Sequence, residues 1–326
     1  MAWARVSGPG DSDAVCDAIA AAIAEEYLRR DSGALLDIRV SGGHGALFVT
    51  GNVSSTADFD VSAVIRRELG RIDPSLQAEP FISIEAMAEP RAFGGAEPWT
   101  AVSVASSGSS LLWPDAHAFA IACIRALEQK RQQDPDWYWL TSDYSIAVAD
   151  DGDKRRLQAS VIHSDGVTPD EVRARFAGLL SNIPSSKPLE VDVICQQGVH
   201  SLMRRTGASR QQRAISFARM PSALQGSGRE LMHPTNLGQW YARAIARELL
   251  KSQNLEAVAI ELDWFPLEAK PRSVRAIDHA GRNLASLVDL ERCDLSRPPA
   301  GWNEPSLLLA SEQYAHATDN VLPWER

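Results

Sequence analysis

The sequence predicts an α+β protein in which helices pack on one face of mixed or antiparallel sheets. Helical segments are inserted between pairs of strand-like segments, and this order recurs about three times along the 326 residues. Short strands also meet at tight turns, at 41–45 and at 150–153, as in β-hairpins. One doubly wound parallel sheet does not explain this order, and no residue-level repeat is visible.

Composition narrows the class of protein further. The chain is 44% hydrophobic and 23% charged, which is ordinary for a globular protein long enough for two or three lobes. A net charge of −9 argues against a general nucleic-acid-binding surface. The four cysteines lack CxxC spacing, which predicts reduced thiols. No apolar run reaches the ~20 residues of a membrane span or resembles a signal peptide, so we expect a cytoplasmic protein.

The first element is a glycine-bracketed turn, residues 8–13, that leads into an alanine-rich helix. Val15, Ile19, Ile23 and Tyr27 recur every four residues, which predicts an amphipathic helix with one buried face. The turn carries Asp11 and Asp13. A carboxylate at a helix start either caps the helix or binds a metal or substrate, and the sequence leaves both interpretations open.

The remaining elements follow from periodicity and turn residues. Thr168, Pro169 and Glu171 form a capping-box pattern at the start of one helix. Residues 106–110 are a small-residue run, either a mobile loop over a site or a plain linker. Helices are predicted over 58–69, 114–130, 168–180, 236–250 and 273–290, and strands over 34–40, 46–53, 80–87, 100–105, 144–149, 157–163, 189–195 and 257–264.

The amino-terminal turn carries a family resemblance. Its glycines Gly8 and Gly10, its aspartates and the helix after them resemble the first motif of S-adenosylmethionine synthetases, especially the archaeal type. In that family the turn reads Gly-His-Pro-Asp. Asp11 stands where the family has its catalytic histidine, and Ser12 stands where it has proline. Asp13 keeps the position of a family magnesium ligand.

Two further segments extend this resemblance. The corner with Gly42 and Gly43 resembles the family's glycine-rich turn, with Asn52 at the position of a glutamate. Residues 227–243 resemble the segment Ser-Gly-Lys-Asn-Pro-Val-Asn-His-Val-Gly-Lys-Ile-Tyr. Arg229 replaces the lysine that contacts triphosphate in the family, and His233 lies four residues later. Arg229 is either a phosphate ligand or a solvated arginine before a helix.

A basic segment lies between these motifs, from residue 204 to residue 219. It is predicted to be a loop, as is 221–228, and Ser209-Arg210 resembles the end of the family's Gly-Arg-Gly-Asn-Arg. Clustered arginines indicate either an anion site or a solvated face. Two departures from the family stand nearby: residues 196–201 lack its Asp-Asp-Gly carboxylates, and Trp99 lies near an expected aspartate.

The resemblance implies three lobes around a pseudo-threefold axis, which we place at 1–95, 96–188 and 189–326. It also implies ATP and methionine, or a related acceptor, as substrates, Mg²⁺ and K⁺ as cofactors, and a homodimer with sites between subunits. The predicted catalytic residues are Asp11, Asp13 and Arg229, with Asp13 as the metal ligand. The predicted substrate or phosphate ligands are Gly8, Gly10, Gly42, Gly43, Arg210, Arg219, Arg229 and His233.

The departures leave three functions open. An active enzyme would transfer the adenosyl group of ATP and release phosphate and pyrophosphate. A degenerate paralogue would keep the fold and partner an active synthetase as a hetero-oligomer. An altered site would act on a different acceptor.

Overall fold

The structure is a computed structural model that describes residues 2–93, 97–110, 112–198, 205–209, 213–217, 220–224, 228–313 and 322–325. Its described helices are α1 (Ser12–Arg30), α2 (Val61–Ile72), α3 (Asp115–Gln133), α4 (Pro169–Ser181), α5 (Gln239–Ser252) and α6 (Leu307–Glu312). Its described strands are β1 (Ala2–Ser7), β2 (Leu35–Gly43), β3 (Ala46–Ser54), β4 (Glu79–Ala86), β5 (Trp99–Ser106), β6 (Leu140–Asp151), β7 (Lys154–His163), β8 (Leu189–Gln197), β9 (Gly207–Ala208), β10 (Arg213–Phe217), β11 (Met220–Leu224), β12 (Ala257–Trp264) and β13 (Ser273–Asp278).

The described strands form three sheets, in the orders β11-β10-β1-β6-β7-β8, β13-β12-β5 and β4-β3-β2-β9. Most neighbours are antiparallel, while β3–β4 and β7–β8 are parallel. This confirms the predicted α+β class with mixed sheets. The hairpin β2–β3 is also confirmed, with Gly43 opposite Ala46 at its corner.

Helix α1 packs against the sheet that contains β2, and the two share one hydrophobic core. Val15, Ile19 and Ile23 are fully buried, as predicted. The opposite side of the helix is buried too, including Ala18 and Ala22, so the helix is enclosed rather than amphipathic. Alanine explains this difference, because its small side chain lets neighbouring elements approach the helix from several directions.

Two secondary-structure predictions were wrong. The helix predicted over 273–290 is instead strand β13, followed by short 3₁₀ turns. Strand β13 pairs with β12 and buries Ala276, so strand pairing outweighed the helical pattern. The loop predicted over 204–219 and 221–228 contains strands β9, β10 and β11, and β10 pairs with β1.

Other predictions agree with the structure. The capping box of α4 is present: Thr168 Oγ1 accepts from the Glu171 backbone N–H, and Glu171 accepts from the Thr168 N–H. The four cysteines form no disulfide, and Cys16, Cys123 and Cys293 are buried. In the part of the chain that the structure describes, no helix has both the length and the apolar character needed to cross a membrane.

Candidate functional site

The turn before α1 is docked on strand β6 through its backbone. The Gly8 N–H donates to the Tyr144 carbonyl over 2.6 Å, and the Gly10 N–H donates to the Ser142 carbonyl over 2.9 Å. A Cβ atom at Gly8 would lie 2.7 Å from the Ser142 carbonyl oxygen. Glycine is therefore required at this position for the turn to lie so close to the strand.

The two aspartates of the turn are both hydrogen-bonded to backbone. Asp11 is the N-cap of α1, and its Oδ1 accepts from the Asp13 N–H over 3.2 Å. Asp13 Oδ1 accepts from the Ala208 N–H over 3.1 Å. Asp11 thus satisfies a donor of the first helical turn, while Asp13 ties that turn to strand β9.

The glycine corner of the β2–β3 hairpin meets the same strand. Gly42 pairs with Gly207, and a Cβ at Gly43 would lie 2.5 Å from the Arg205 carbonyl oxygen. A Cβ at Gly207 would lie 2.3 Å from the Ser12 carbonyl oxygen. The turn, the corner and the start of the basic segment therefore converge at one end of β2.

A buried carboxylate that sequence analysis missed lies beside this convergence. Asp143 is 4% exposed, and its Oδ1 lies 3.9 Å from a guanidinium nitrogen of Arg205. The pairing of β6 with β7 shifts register between Leu140 and Tyr144, so Asp143 lies in an irregular stretch of strand. Its signal in the sequence is a lone acid next to an apolar run, one residue before the strand predicted over 144–149.

The second motif docks farther along β2. The Ile38 N–H donates to the Gly228 carbonyl over 2.7 Å. Gly228 has φ +78°, and a Cβ there would lie 2.0 Å from the Ile38 carbonyl oxygen, so a side chain is excluded. This contact fixes the backbone from which the Arg229 side chain extends.

Arg229 is held between an acid and an indole ring. One guanidinium nitrogen lies 3.2 Å from Asp37 Oδ1 on β2, and the guanidinium carbon lies 5.5 Å from the centre of the Trp99 ring. Trp99 in turn makes an edge contact with the His233 ring, with 4.7 Å between centroids. Burial lowers the pKa of Arg229, and the nearby Asp37 carboxylate opposes that shift.

His233 is a neutral donor in this arrangement. Its Nδ1 accepts from the Thr235 N–H over 3.1 Å, so the ring proton of the neutral form lies on Nε2. Burial, followed by the charges of Arg229 and Arg39, lowers the pKa of His233 well below its ordinary value. Nε2 has no hydrogen-bond partner, although the residue is only 1% exposed.

More unpaired polar atoms follow in the same segment. Residues Pro234–Gly238 form a π-helical turn before α5, a geometry that is frequent at functional sites. Asn236 donates its amide to the carbonyls of Arg229 and Glu230, which leaves Oδ1 without a partner. Both amide atoms of Gln239 are also unpartnered. Buried polar groups are normally paired, so a set like this indicates a place for a ligand or water.

Glu230, the residue after Arg229, has a buried carboxyl group with a raised pKa. It is 4% exposed, and its Oε2 accepts from the Leu36 N–H over 3.1 Å. Burial raises its pKa to about 7. Sequence analysis missed this residue, and its only signal was an acid directly after the Ser-Gly-Arg motif.

The predicted site residues thus fall into two groups along β2. Gly8, Gly10, Asp11, Asp13, Gly42 and Gly43 lie at the end near β9, and Arg229 and His233 lie near Asp37. Arg210 and Arg219 are outside the described residues. Between Asp37 and Ser41 the strand spans about 13 Å, so the two groups are near enough to contact one elongated ligand.

The described side chains do not form a metal site by themselves. Among them, no three His, Cys, Asp or Glu residues are grouped to hold a metal ion. Asp11 and Asp13 are also engaged with backbone N–H groups. The described residues therefore do not fit a magnesium ion held by the protein alone.

Comparison with known proteins identifies the fold. No protein-family model matches the sequence, and no curated protein matches it. Among solved structures, an unusual S-adenosylmethionine synthetase from Campylobacter jejuni superimposes with a TM-score of 0.82 at 15% sequence identity. The match covers 99% of this chain and 96% of that chain. The chain has the S-adenosylmethionine synthetase fold.

The S-adenosylmethionine synthetase fold confirms the resemblance drawn from the two sequence motifs. It extends over the whole chain, including segments such as β13 where the sequence had predicted another element. At 15% identity the match establishes the fold of this chain.

Proposed function

We propose that this protein is a divergent S-adenosylmethionine synthetase-like enzyme. It would transfer the adenosyl group of ATP to methionine or a related acceptor. The acceptor sulfur forms a bond to the ribose C5′, the C5′–oxygen bond breaks, and the triphosphate leaves with the bonding electron pair. Water then cleaves the triphosphate to phosphate and pyrophosphate. Such a displacement depends mainly on positioning and charge neutralisation.

One observation carries this proposal: two distant sequence motifs that resemble the family meet the same strand, β2, in a chain with the family's fold. Near Asp13 the turn and corner are glycine-lined and backbone-rich. Near Asp37 a partly buried arginine and an unpaired imidazole N–H offer donors to an anion. In this proposal Arg229 and His233 bind phosphate oxygens, and the corner shapes the site.

Magnesium and potassium enter the proposal as ions that accompany ATP. Mg²⁺ commonly takes most of its oxygens from substrate phosphates and water, with one or two protein carboxylates. Asp13 is the proposed carboxylate, and Asp143 lies on the strand against which the turn docks. Arg210 and Arg219 remain proposed phosphate ligands, and the lobes 1–95, 96–188 and 189–326 remain proposed units.

A specific observation favours the second candidate, a non-catalytic paralogue that partners an active synthetase as a hetero-oligomer. Asp11, which stands where the family has its catalytic histidine, caps α1. A helix cap at that position explains the aspartate without any role in catalysis. We rank the enzyme first because Arg229 and His233 still offer hydrogen-bond donors to an anion near Asp37.

The same assignment gives the location, oligomeric state and binding partners that we propose for the protein. We propose a cytoplasmic homodimer that takes small-molecule substrates and binds neither nucleic acid nor membrane. The outer face of the β4-β3-β2 sheet is the proposed contact between subunits, because it carries Arg39 and an exposed stacked pair, Phe48 and Phe81.

The deciding experiment is incubation of the purified protein with ATP, methionine, Mg²⁺ and K⁺, with all products read by mass spectrometry. We expect S-adenosylmethionine, phosphate and pyrophosphate in equal amounts. Arg229→Ala should reduce their formation at least tenfold, since it removes a charged hydrogen-bond donor. Arg173→Ala, which removes an exposed arginine on α4, is the matched control. If the wild type turns over no nucleotide, the protein is instead assigned as the non-catalytic paralogue that partners an active synthetase.

A further inference from the structure

Two charged residues of β2 share the face of the sheet opposite its core. Leu36, Ile38 and Val40 point to the buried side, whereas Asp37 and Arg39 alternate with them and are half-buried. Nothing in the sequence motifs singled out either residue. Asp37 lies opposite Arg229 in a β-bridge, and Arg39 is two residues closer to the glycine corner at the end of the strand.

The Asp37 carboxylate contacts two guanidinium groups at once. Its Oδ1 lies 3.1 Å from Arg39 Nε and 3.2 Å from a terminal nitrogen of Arg229. One negative charge shared by two permanent positive charges leaves the trio with a net charge of +1, which the carboxylates of Glu230 and Glu97 near Arg229 partly offset. The trio is partly buried, with side-chain exposures of 34%, 32% and 14% for Asp37, Arg39 and Arg229, so solvent screens that charge less than at a free surface.

The trio is also fixed from its other sides. The β2 backbone holds Gly228, and the Trp99 ring lies beside the Arg229 guanidinium. The Nε–H of Arg229 and the Nε2–H of His233 are both buried and unpaired. Two unpaired donors beside a net positive charge are the features that an anionic ligand with several oxygens would satisfy.

We propose that Asp37 is a positioning residue that aligns Arg39 and Arg229 as a two-guanidinium clamp for a polyphosphate, with Arg39 as a second binding residue. The ligand's identity as the triphosphate of ATP rests on the proposed function above. Arg39 supplies a second guanidinium beside that of Arg229, on the strand that leads to the glycine corner, so one elongated anion would contact both arginines and the corner. A purely structural role for the trio, tying β2 to the segment after Gly228, is the competing explanation.

Isothermal titration with sodium tripolyphosphate, at fixed ionic strength and without nucleotide, separates these explanations. The clamp predicts that Arg39→Ala weakens binding at least tenfold and that Arg39→Lys recovers part of the loss, because lysine keeps the charge but not the planar fork. Asp37→Asn should weaken binding severalfold. Arg173→Ala on α4 should bind as the wild type does.

Turnover and stability measurements complete the test. Asp37→Asn should raise the KM for ATP more than it lowers kcat, whereas a structural tie predicts a lower melting temperature with unchanged binding. If Arg39→Ala is unstable, Arg39→Gln and Arg39→Lys carry the comparison, since both keep the stem of the side chain.

The clamp and the proposed function fail in different ways. Wild-type formation of S-adenosylmethionine together with unchanged tripolyphosphate affinity in Arg39→Ala would overturn the clamp and leave the function standing. Tripolyphosphate binding that is lost in Arg39→Ala, in a wild type that turns over no ATP, would support the clamp and remove the function. A wild type that binds no tripolyphosphate would overturn the clamp, and its ATP turnover would still decide the function.

Discussion

Two carboxylates near Arg229, those of Asp37 and Glu230, differ in their surroundings. Asp37 lies on the open face of β2 between two guanidinium groups, where its charge is compensated. Glu230 is buried on the other side of Arg229 and receives one backbone N–H. Burial without a close ion pair penalises the charged form, which is why the pKa of Glu230 rises to about 7.

This residue gives a prediction for stability against pH. A carboxyl group whose pKa is raised on folding binds its proton more tightly in the folded chain, so ionisation costs folding free energy. The cost is absent below the unfolded pKa, near 4.5, and is complete above about 7. Glu230→Gln should therefore be more stable than the wild type at pH 8, by on the order of 3 kcal/mol, and should lose this advantage toward pH 5.

Urea unfolding at pH 5, 6, 7 and 8 measures this effect. The exposed carboxylate of Glu304 provides the control, since Glu304→Gln should leave the wild-type pH profile in place. Parallel profiles for the wild type and Glu230→Gln would show that Glu230 does not ionise in this range.

The sequence predicts those candidate site residues that stand in a local motif. Gly8, Gly42 and Arg229 stand in recognisable motifs, and the structure places each against a neighbouring backbone or charge. Asp37 and Asp143 could not be found in this way, because their partners are 192 and 62 positions away in the chain. Their importance arises only when β2 and β6 are brought against other segments.

At the scale of elements, the short strand β9 joins the pieces of the candidate site. It pairs with β2, receives Asp13 at the Ala208 N–H, and packs Gly207 against Ser12. A two-residue strand has little stability of its own, so these contacts with α1 and β2 must hold it in place. No strand is predicted at this position, because a basic segment with few apolar residues predicts a loop.

Gly207→Ala tests whether β9 is needed in this position. The new Cβ would lie 2.3 Å from the Ser12 carbonyl oxygen, so either the turn or the strand must move. We expect a loss of about 1–3 kcal/mol of stability and weaker tripolyphosphate binding. Gly70→Ala is the matched control: it lies within α2 with no atom within 4 Å of the added Cβ, and should stabilise the protein by up to about 1 kcal/mol.

Both variants should be compared by urea unfolding and by titration with tripolyphosphate. Equal stability of Gly207→Ala and wild type would mean that the turn and β9 are not in contact as described. Reduced stability with full affinity would mean that β9 supports the fold without shaping the anion site.

At the scale of the whole molecule, the β4-β3-β2 sheet buries one face and leaves the other open. Leu47 and Val49 join the core under α1 and α2. On the opposite face, the register places Phe48 beside Phe81 and Arg39 beside Thr50. The two phenylalanine rings stack at 5.2 Å and are 49% and 52% exposed. An exposed aromatic pair next to a proposed binding residue suits a surface that a second subunit covers.

The outer face therefore carries the last prediction, that Phe81→Glu converts the proposed dimer into monomers. A carboxylate at this position would have to be buried without a partner when the two sheets meet, and that cost opposes association. Sedimentation velocity over a range of protein concentrations measures the change. Phe265→Glu is the control, because Phe265 is 56% exposed on the segment after β12 and not on this sheet. If Arg39 contacts a ligand between the subunits, Phe81→Glu should also weaken tripolyphosphate binding. A Phe81→Glu variant that stays dimeric would place the subunit contact on another face.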